Sequence, residues 1–133
     1  MREIKFRGRR LGTGDWVYGD LQSQAIPLAA ILTYDQCEGY GDIIPVTPRT
    51  VWQYTGLEDV DGVPIYEGDI VESRDEKGEG KRIIGEIVWC ESVAAFIGVH
   101  AEGQGWLNEG DPTKPTRLSY TRVIGNKYQN PEL

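Results

Sequence analysis

Leu57-Glu58-Asp59-Val60-Asp61-Gly62-Val63-Pro64-Ile65-Tyr66-Glu67-Gly68-Asp69-Ile70-Val71-Glu72-Ser73 is the stretch from which the fold is read. Two apolar-containing runs flank Asp61-Gly62, and an Asp-Gly pair accepts the positive φ angles of a tight turn. Glu67-Gly68-Asp69 reads as a second turn. Gly68 lets the chain turn without a Cβ penalty, and Asp69 is placed to accept hydrogen bonds from nearby backbone amides. Ile70 to Ser73 then reads as a strand with side chains on alternate faces. Asp75 to Gly80 is polar and glycine-containing, which predicts an exposed hairpin tip, and Ile83 to Val88 is its return strand. Turn, strand, polar tip and return strand is the order an SH3-like barrel shows.

Outward from this stretch, short alternating runs recur between turn signals. Glu3 to Arg7 alternates polar and apolar residues with period two. Gly12-Thr13-Gly14-Asp15 is a turn, and Trp16 to Leu21 is the expected hairpin partner. Ala29 to Tyr34 is a third candidate strand, and Thr50 to Gly56 another. Pro45 and Pro48 make Ile43 to Val46 extended but keep it out of a central strand. Gly103 to Pro115 reads as a long loop, Arg117 to Ile124 as a closing strand and Gly125 to Leu133 as a tail. The chain has 17 Gly and 7 Pro spread along it, a density at which long helices do not survive. No period of 20–50 residues repeats, which excludes solenoids and propellers. The expected fold is mainly β, with few or short helices. Residues 1–56 form a β-rich roll, and residues 57–133 form an SH3-like barrel with a C-terminal tail, the two able to pack as one unit.

Composition narrows the class. The chain has 133 residues, 39% hydrophobic and 26% charged, with a formal net charge of -7. Four Trp, seven Tyr and two Phe are more aromatic bulk than a disordered chain carries. The longest apolar run, Ala25 to Leu32, contains Pro27 and falls far short of the roughly 20 residues a membrane helix needs. No apolar stretch follows the basic start, so no signal peptide is expected. Cys37 and Cys90 make no disulfide framework. A cytoplasmic protein is expected. The charge is unevenly placed. Arg2, Lys5, Arg7, Arg9 and Arg10 face only Glu3 in the first fourteen residues, whereas residues 15–47 contain no Lys or Arg at all. The ends are basic and the middle acidic.

Three stretches carry a family resemblance. Gln53-Tyr54-Thr55-Gly56-Leu57, the Asp-containing turn at Asp59 to Gly62, and Ile65-Tyr66-Glu67-Gly68-Asp69-Ile70-Val71 resemble the YopX family of phage and prophage proteins. The opening Met1-Arg2-Glu3-Ile4-Lys5-Phe6-Arg7 matches that family's usual start. The close, Val123-Ile124-Gly125-Asn126-Lys127-Tyr128-Gln129-Asn130-Pro131-Glu132-Leu133, is similar to its usual end. The resemblance implies a small β-rich part followed by an SH3-type barrel. It also implies a phage or prophage gene acting in a bacterial cytoplasm. It brings no catalytic residue and no cofactor.

The candidate sites are thin. Asp59, Asp61, Glu67 and Asp69 could pair as catalytic carboxylates, but turn chemistry explains them. A calcium loop counted from Asp59 would need a glutamate where Ile70 stands. Cys37, Cys90 and His100 are too widely spaced for a metal motif. Cys90 and His100 could meet on neighbouring strands, but a packed thiol explains Cys90. No catalytic residue, metal site or cofactor is expected. The binding patch expected is the basic N-terminal set Arg2, Lys5, Arg7, Arg9 and Arg10 with Trp16. The expected role is a non-enzymatic binding or assembly module, with a homo-oligomer or an unidentified protein as partner. The alternative is a nucleic-acid-binding accessory protein, which the overall acidity disfavours.

Overall fold

The computed structural model describes residues 3–22, 29–33, 41–73, 83–92, 94–100, 103–106 and 121–130. They form eleven strands and one short 3-10 turn. In chain order the strands are β1 Phe6–Arg9, β2 Trp16–Gln22, β3 Ala29–Leu32, β4 Ile43–Val46, β5 Trp52–Glu58, β6 Pro64–Tyr66, β7 Asp69–Ser73, β8 Ile83–Cys90, β9 Ala95–His100, β10 Gly103–Trp106 and β11 Thr121–Asn126. The protein is mainly β, in two antiparallel sheets. The chain divides into two compact units, Met1–Tyr54 and Thr55–Leu133. No described helix is long and apolar enough to cross a membrane.

In the first unit the strands lie in the order β4-β3-β2-β1, with the start of β5 beside β1. The expected turn joins β1 to β2. Gly12 and Gly14 take φ angles of 88° and 77°, a region closed to most side chains. Arg10 N–H donates to Asp15 O at 2.8 Å, and Gly14 N–H to Arg10 O at 2.9 Å. That turn sets the register in which Arg7 faces Tyr18 and Arg9 faces Trp16. A second glycine is fixed by crowding. A Cβ on Gly19 would sit 2.1 Å from the carbonyl oxygen of Leu32, so no larger residue fits between β2 and β3. Ala30, Ile31 and Val46 are buried here. Pro45 lies in β4, the end strand of the order, where a missing N–H is tolerated.

In the second unit the order is β10-β9-β8-β7-β11. Ile65, Val71, Ile87 and Phe96 form its core, with Leu57 and Val123 packed against them. β8 is the return strand of β7, as expected. The expected barrel is corrected by this order. β10 pairs with β9 and β11 with β7, and the described strands do not close. A barrel needs its two end strands to hydrogen-bond to each other.

Several boundaries differ from the sequence reading. β1 begins at Phe6 rather than Glu3, although Lys5 O still accepts Tyr54 N–H at 2.8 Å. Gly103–Trp106 is a strand rather than part of a loop. Gly125 and Asn126 belong to β11, pairing with Ile70 and Asp69, so the tail starts later than expected. The expected hairpin tip at 75–80 lies outside the described residues.

Candidate functional site

The first unit gathers cations and aromatic rings on one sheet face. Alternation along β1 puts Lys5, Arg7 and Arg9 on the same side. The cross-strand partners of Arg7 are Tyr18 and Trp52, and that of Arg9 is Trp16. Side chains directly opposite in an antiparallel pair share a face, so the three rings lie among the three cations. The Arg7 guanidinium sits 4.6 Å from the Trp16 ring centre and 5.0 Å from that of Trp52. The two indoles are themselves 5.4 Å apart, tilted by 37°. Arg9 lies 5.9 Å from the Trp16 ring, and Lys5 Nζ lies 5.8 Å from that of Tyr18. Arg9 Nε also donates to Gly14 O at 2.8 Å, tying the face to the β1–β2 turn.

Burial is graded along this face. Arg7 is only 6% exposed and Trp52 3%, whereas Tyr18 is 44% exposed. A guanidinium between indole faces gains about 0.5–2 kcal/mol, the more so when desolvated. An aromatic quadrupole attracts the cation without cancelling its charge. No register partner of Arg7 or Arg9 is acidic. Of the expected basic patch, the structure thus joins Lys5, Arg7, Arg9 and Trp16. It withdraws Arg7 from solvent, which corrects its place in an exposed patch. Arg10 is exposed just beyond β1, and Arg2 lies outside the described residues. The sequence reading weighs Trp52 only as one of several large aromatics and leaves it out of the basic patch. Its signal is the same alternation, carried on a strand forty-five positions downstream of Arg7.

The second unit uses its motif residues differently. Asp59 is 1% exposed. Its Oδ1 accepts the N–H groups of Asp61 at 2.8 Å and Val63 at 2.9 Å. Its Oδ2 accepts Val123 N–H at 3.0 Å. One carboxylate thus shapes the hairpin turn and holds β11 to it. Val60 N–H adds a bond to Thr121 O at 2.9 Å. Asp61, the acid of the Asp-Gly pair, is exposed and meets Arg122 at 2.9 Å. Asp69 Oδ2 accepts Tyr66 N–H at 2.8 Å across the turn at Gly68, whose φ is 85°. Thr55 Oγ1 donates to Ile65 O at 2.8 Å and accepts Leu57 N–H. Asn126 Oδ1 accepts Tyr128 and Gln129 N–H, and Lys127 N–H donates to Gly68 O at 2.9 Å. The stretches 55–69 and 121–130 therefore meet in one hydrogen-bonded frame.

A family model, described as YopX protein, matches residues 5–133. The chain belongs to the YopX family. No curated protein matches it. Among solved structures, the YopX-family chain is similar to protein EF1440 from Enterococcus faecalis. The two share 21% identity with a TM-score of 0.55, over 99% of this chain and 98% of that one. At that identity the likeness shows the fold alone.

The remaining candidates of this YopX-family chain come apart on inspection. Cys90 and His100 do lie on neighbouring strands, but Cys90 faces Ala95, the other end of β9. Five residues of strand put their backbones about 17 Å apart. Cys90 Sγ lies 3.2 Å from Ser92 Oγ. Cys37 lies outside the described residues. Among the described residues no cluster of His, Cys, Asp or Glu could hold a metal ion. The Glu67 carboxyl is altered. Burial pushes it above the usual carboxylate range, with Lys127 opposing and Glu86 adding to the rise.

Proposed function

We propose that this YopX-family chain is a phage- or prophage-encoded, non-enzymatic binding or assembly module working in a bacterial cytoplasm. The observation that carries the reading is the contrast in use of its charged groups. Asp59 and Asp69, the acids of its motif that look most like a site, are buried and serve backbone amides. The cations of the first unit instead line a sheet face together with a ring that is half open to solvent. Such a face offers charge and flat apolar area side by side, which is contact chemistry rather than bond-making chemistry.

The test is retention of macromolecules from a bacterial cytoplasmic extract by immobilised protein. Wild type is compared with a Lys5→Gln, Tyr18→Ser variant whose circular dichroism is unchanged. The expected result is a retained macromolecule that the variant loses. Retention that is equal for both overturns the assignment of this face. A second reading, a nucleic-acid-binding accessory protein, draws on Lys5 beside the exposed Tyr18 ring, the pairing that single strands use. Against it, the Trp16 and Trp52 rings already carry Arg7. Filter binding of single- and double-stranded DNA and RNA at two salt concentrations separates the two.

A further inference from the structure

We propose that Asp61 is a site of slow isoaspartate formation, and that its pairing with Arg122 restrains the reaction in the folded chain. The inference does not depend on the binding-module reading. Asp59 to Gly62 form a turn closed by a hydrogen bond from Gly62 N–H to Asp59 O at 3.0 Å. The Asp61 side chain is 55% exposed there. Gly62 follows it and has no side chain to shield its nitrogen. An open carboxyl thus stands next to an unshielded amide. In the reaction Gly62 N attacks Asp61 Cγ in its neutral acid form, and a C–N bond closes a cyclic imide. The Gly62 amide proton and the Asp61 hydroxyl leave as water. A second water then opens the ring. Opening at Cγ restores aspartate, and opening at the main-chain carbonyl leaves isoaspartate, whose main chain runs through Cβ and Cγ. The steps need no oxidant, reductant or cofactor.

Contacts in the fold oppose the attack. Gly62 N–H is held by Asp59 O, and Asp61 N–H by Asp59 Oδ1 at 2.8 Å. These fix the backbone. Arg122 Nε donates to Asp61 Oδ2 at 2.9 Å, which ties the reacting carboxyl itself to β11. The pair is open to solvent on both sides, where an ion pair adds little stability. Its place on the reacting carboxyl gives it a different use, since that group must leave Arg122 before it can turn onto its own backbone. The product matters for the second unit. Isoaspartate lengthens the main chain by one atom between Asp61 N and Gly62 N. Asp59 Oδ1 binds the amides of Asp61 and Val63 on either side of that point, and Oδ2 binds Val123 on β11. A lengthened turn cannot keep this arrangement, so conversion loosens the hold on β11.

The test holds the full chain in neutral buffer and counts isoaspartate with a methyltransferase specific for it, while peptide mapping places it. Conversion at Asp61 should be slowest in wild type and fastest in wild type unfolded in urea. Arg122→Gln should convert about two- to fivefold faster than wild type, the factor an exposed pair supplies. Arg122→Lys keeps a cation for the carboxylate and should restore most of the protection. Asp61→Glu should give no signal at this position, because its imide would need a larger ring. Equal rates for wild type and Arg122→Gln overturn the restraint. A lysine variant as fast as the glutamine variant also overturns it, since the effect is then general weakening of the fold. An unfolded chain without isoaspartate at position 61 overturns the site itself.

Discussion

The two units solve the same problem, a charged side chain held inside a small β structure, in opposite ways. The second unit gives Asp59 three backbone N–H donors, each with its own direction. The first unit gives Arg7 two ring faces, which attract over a broad area and impose little direction. Hydrogen bonds of the first kind saturate and fix one loop geometry. Contacts of the second kind leave net charge behind and tolerate side-chain movement. The difference explains why one unit carries a rigid frame of motif residues and the other carries the candidate contact surface.

The largest way to break the comparison is Asp59→Ala. Losing the carboxylate strands the amides of Asp61, Val63 and Val123, at about 1–3 kcal/mol for each that stays buried. A loss of about 3–5 kcal/mol in urea unfolding is expected. A loss below about 1 kcal/mol would show that the frame does not depend on this group. Next in size is Arg7→Ala, which removes both ring contacts and the packed stem, for about 2–3 kcal/mol. Arg7→Lys keeps the charge but not the flat fork, so it should recover only part of that loss. Tryptophan emission reports the change directly, because Trp16 and Trp52 flank the site. Full recovery by lysine would mean that charge alone, and not stacking, holds the face together.

Gly68→Ala sharpens the comparison from the backbone side. At φ 85° an alanine is strained, so about 1–2 kcal/mol should be lost even though no polar contact is removed. The smallest effect is expected at Glu67. Burial disfavours its charged form in the folded state and raises its value above the ordinary 4.5. Ionisation therefore opposes folding, and stability is lost as pH climbs above 4.5. Glu67→Gln removes that loss, raising Tm by about 1 °C at pH 7 and by nothing below pH 4.5. An equal shift at both pH values would show that something other than charge burial is at work.

Local chemistry was the legible part of the fold. Gly12 to Asp15, Asp61-Gly62 and Gly68-Asp69 announce turns because glycine and aspartate act on their immediate neighbours. Strands between them follow from alternation. The part that stayed hidden depends on distant partners. Asp61 was credited with shaping its turn, while the shaping carboxylate is Asp59, whose third donor comes from β11. Arg7 read as one member of a solvated basic run, because its burial is decided by Trp52 on another strand. Lys5, Arg9 and Trp16 share one face because a single hairpin turn suffices to bring them there. The open order of the second sheet was not legible either, because closure depends on which edges meet and not on any single turn.

Asp59 and Val123 also set a clock. The two residues are separated by 64 positions in the chain, and ribosomes add roughly 5–20 residues per second. After Asp59 is made, about 3–13 s pass before the strand it holds exists at all. During that interval β7 has no β11 beside it. The second unit therefore cannot mature until β11 has been made, whereas the first unit has all its own strands from the moment Tyr54 is added.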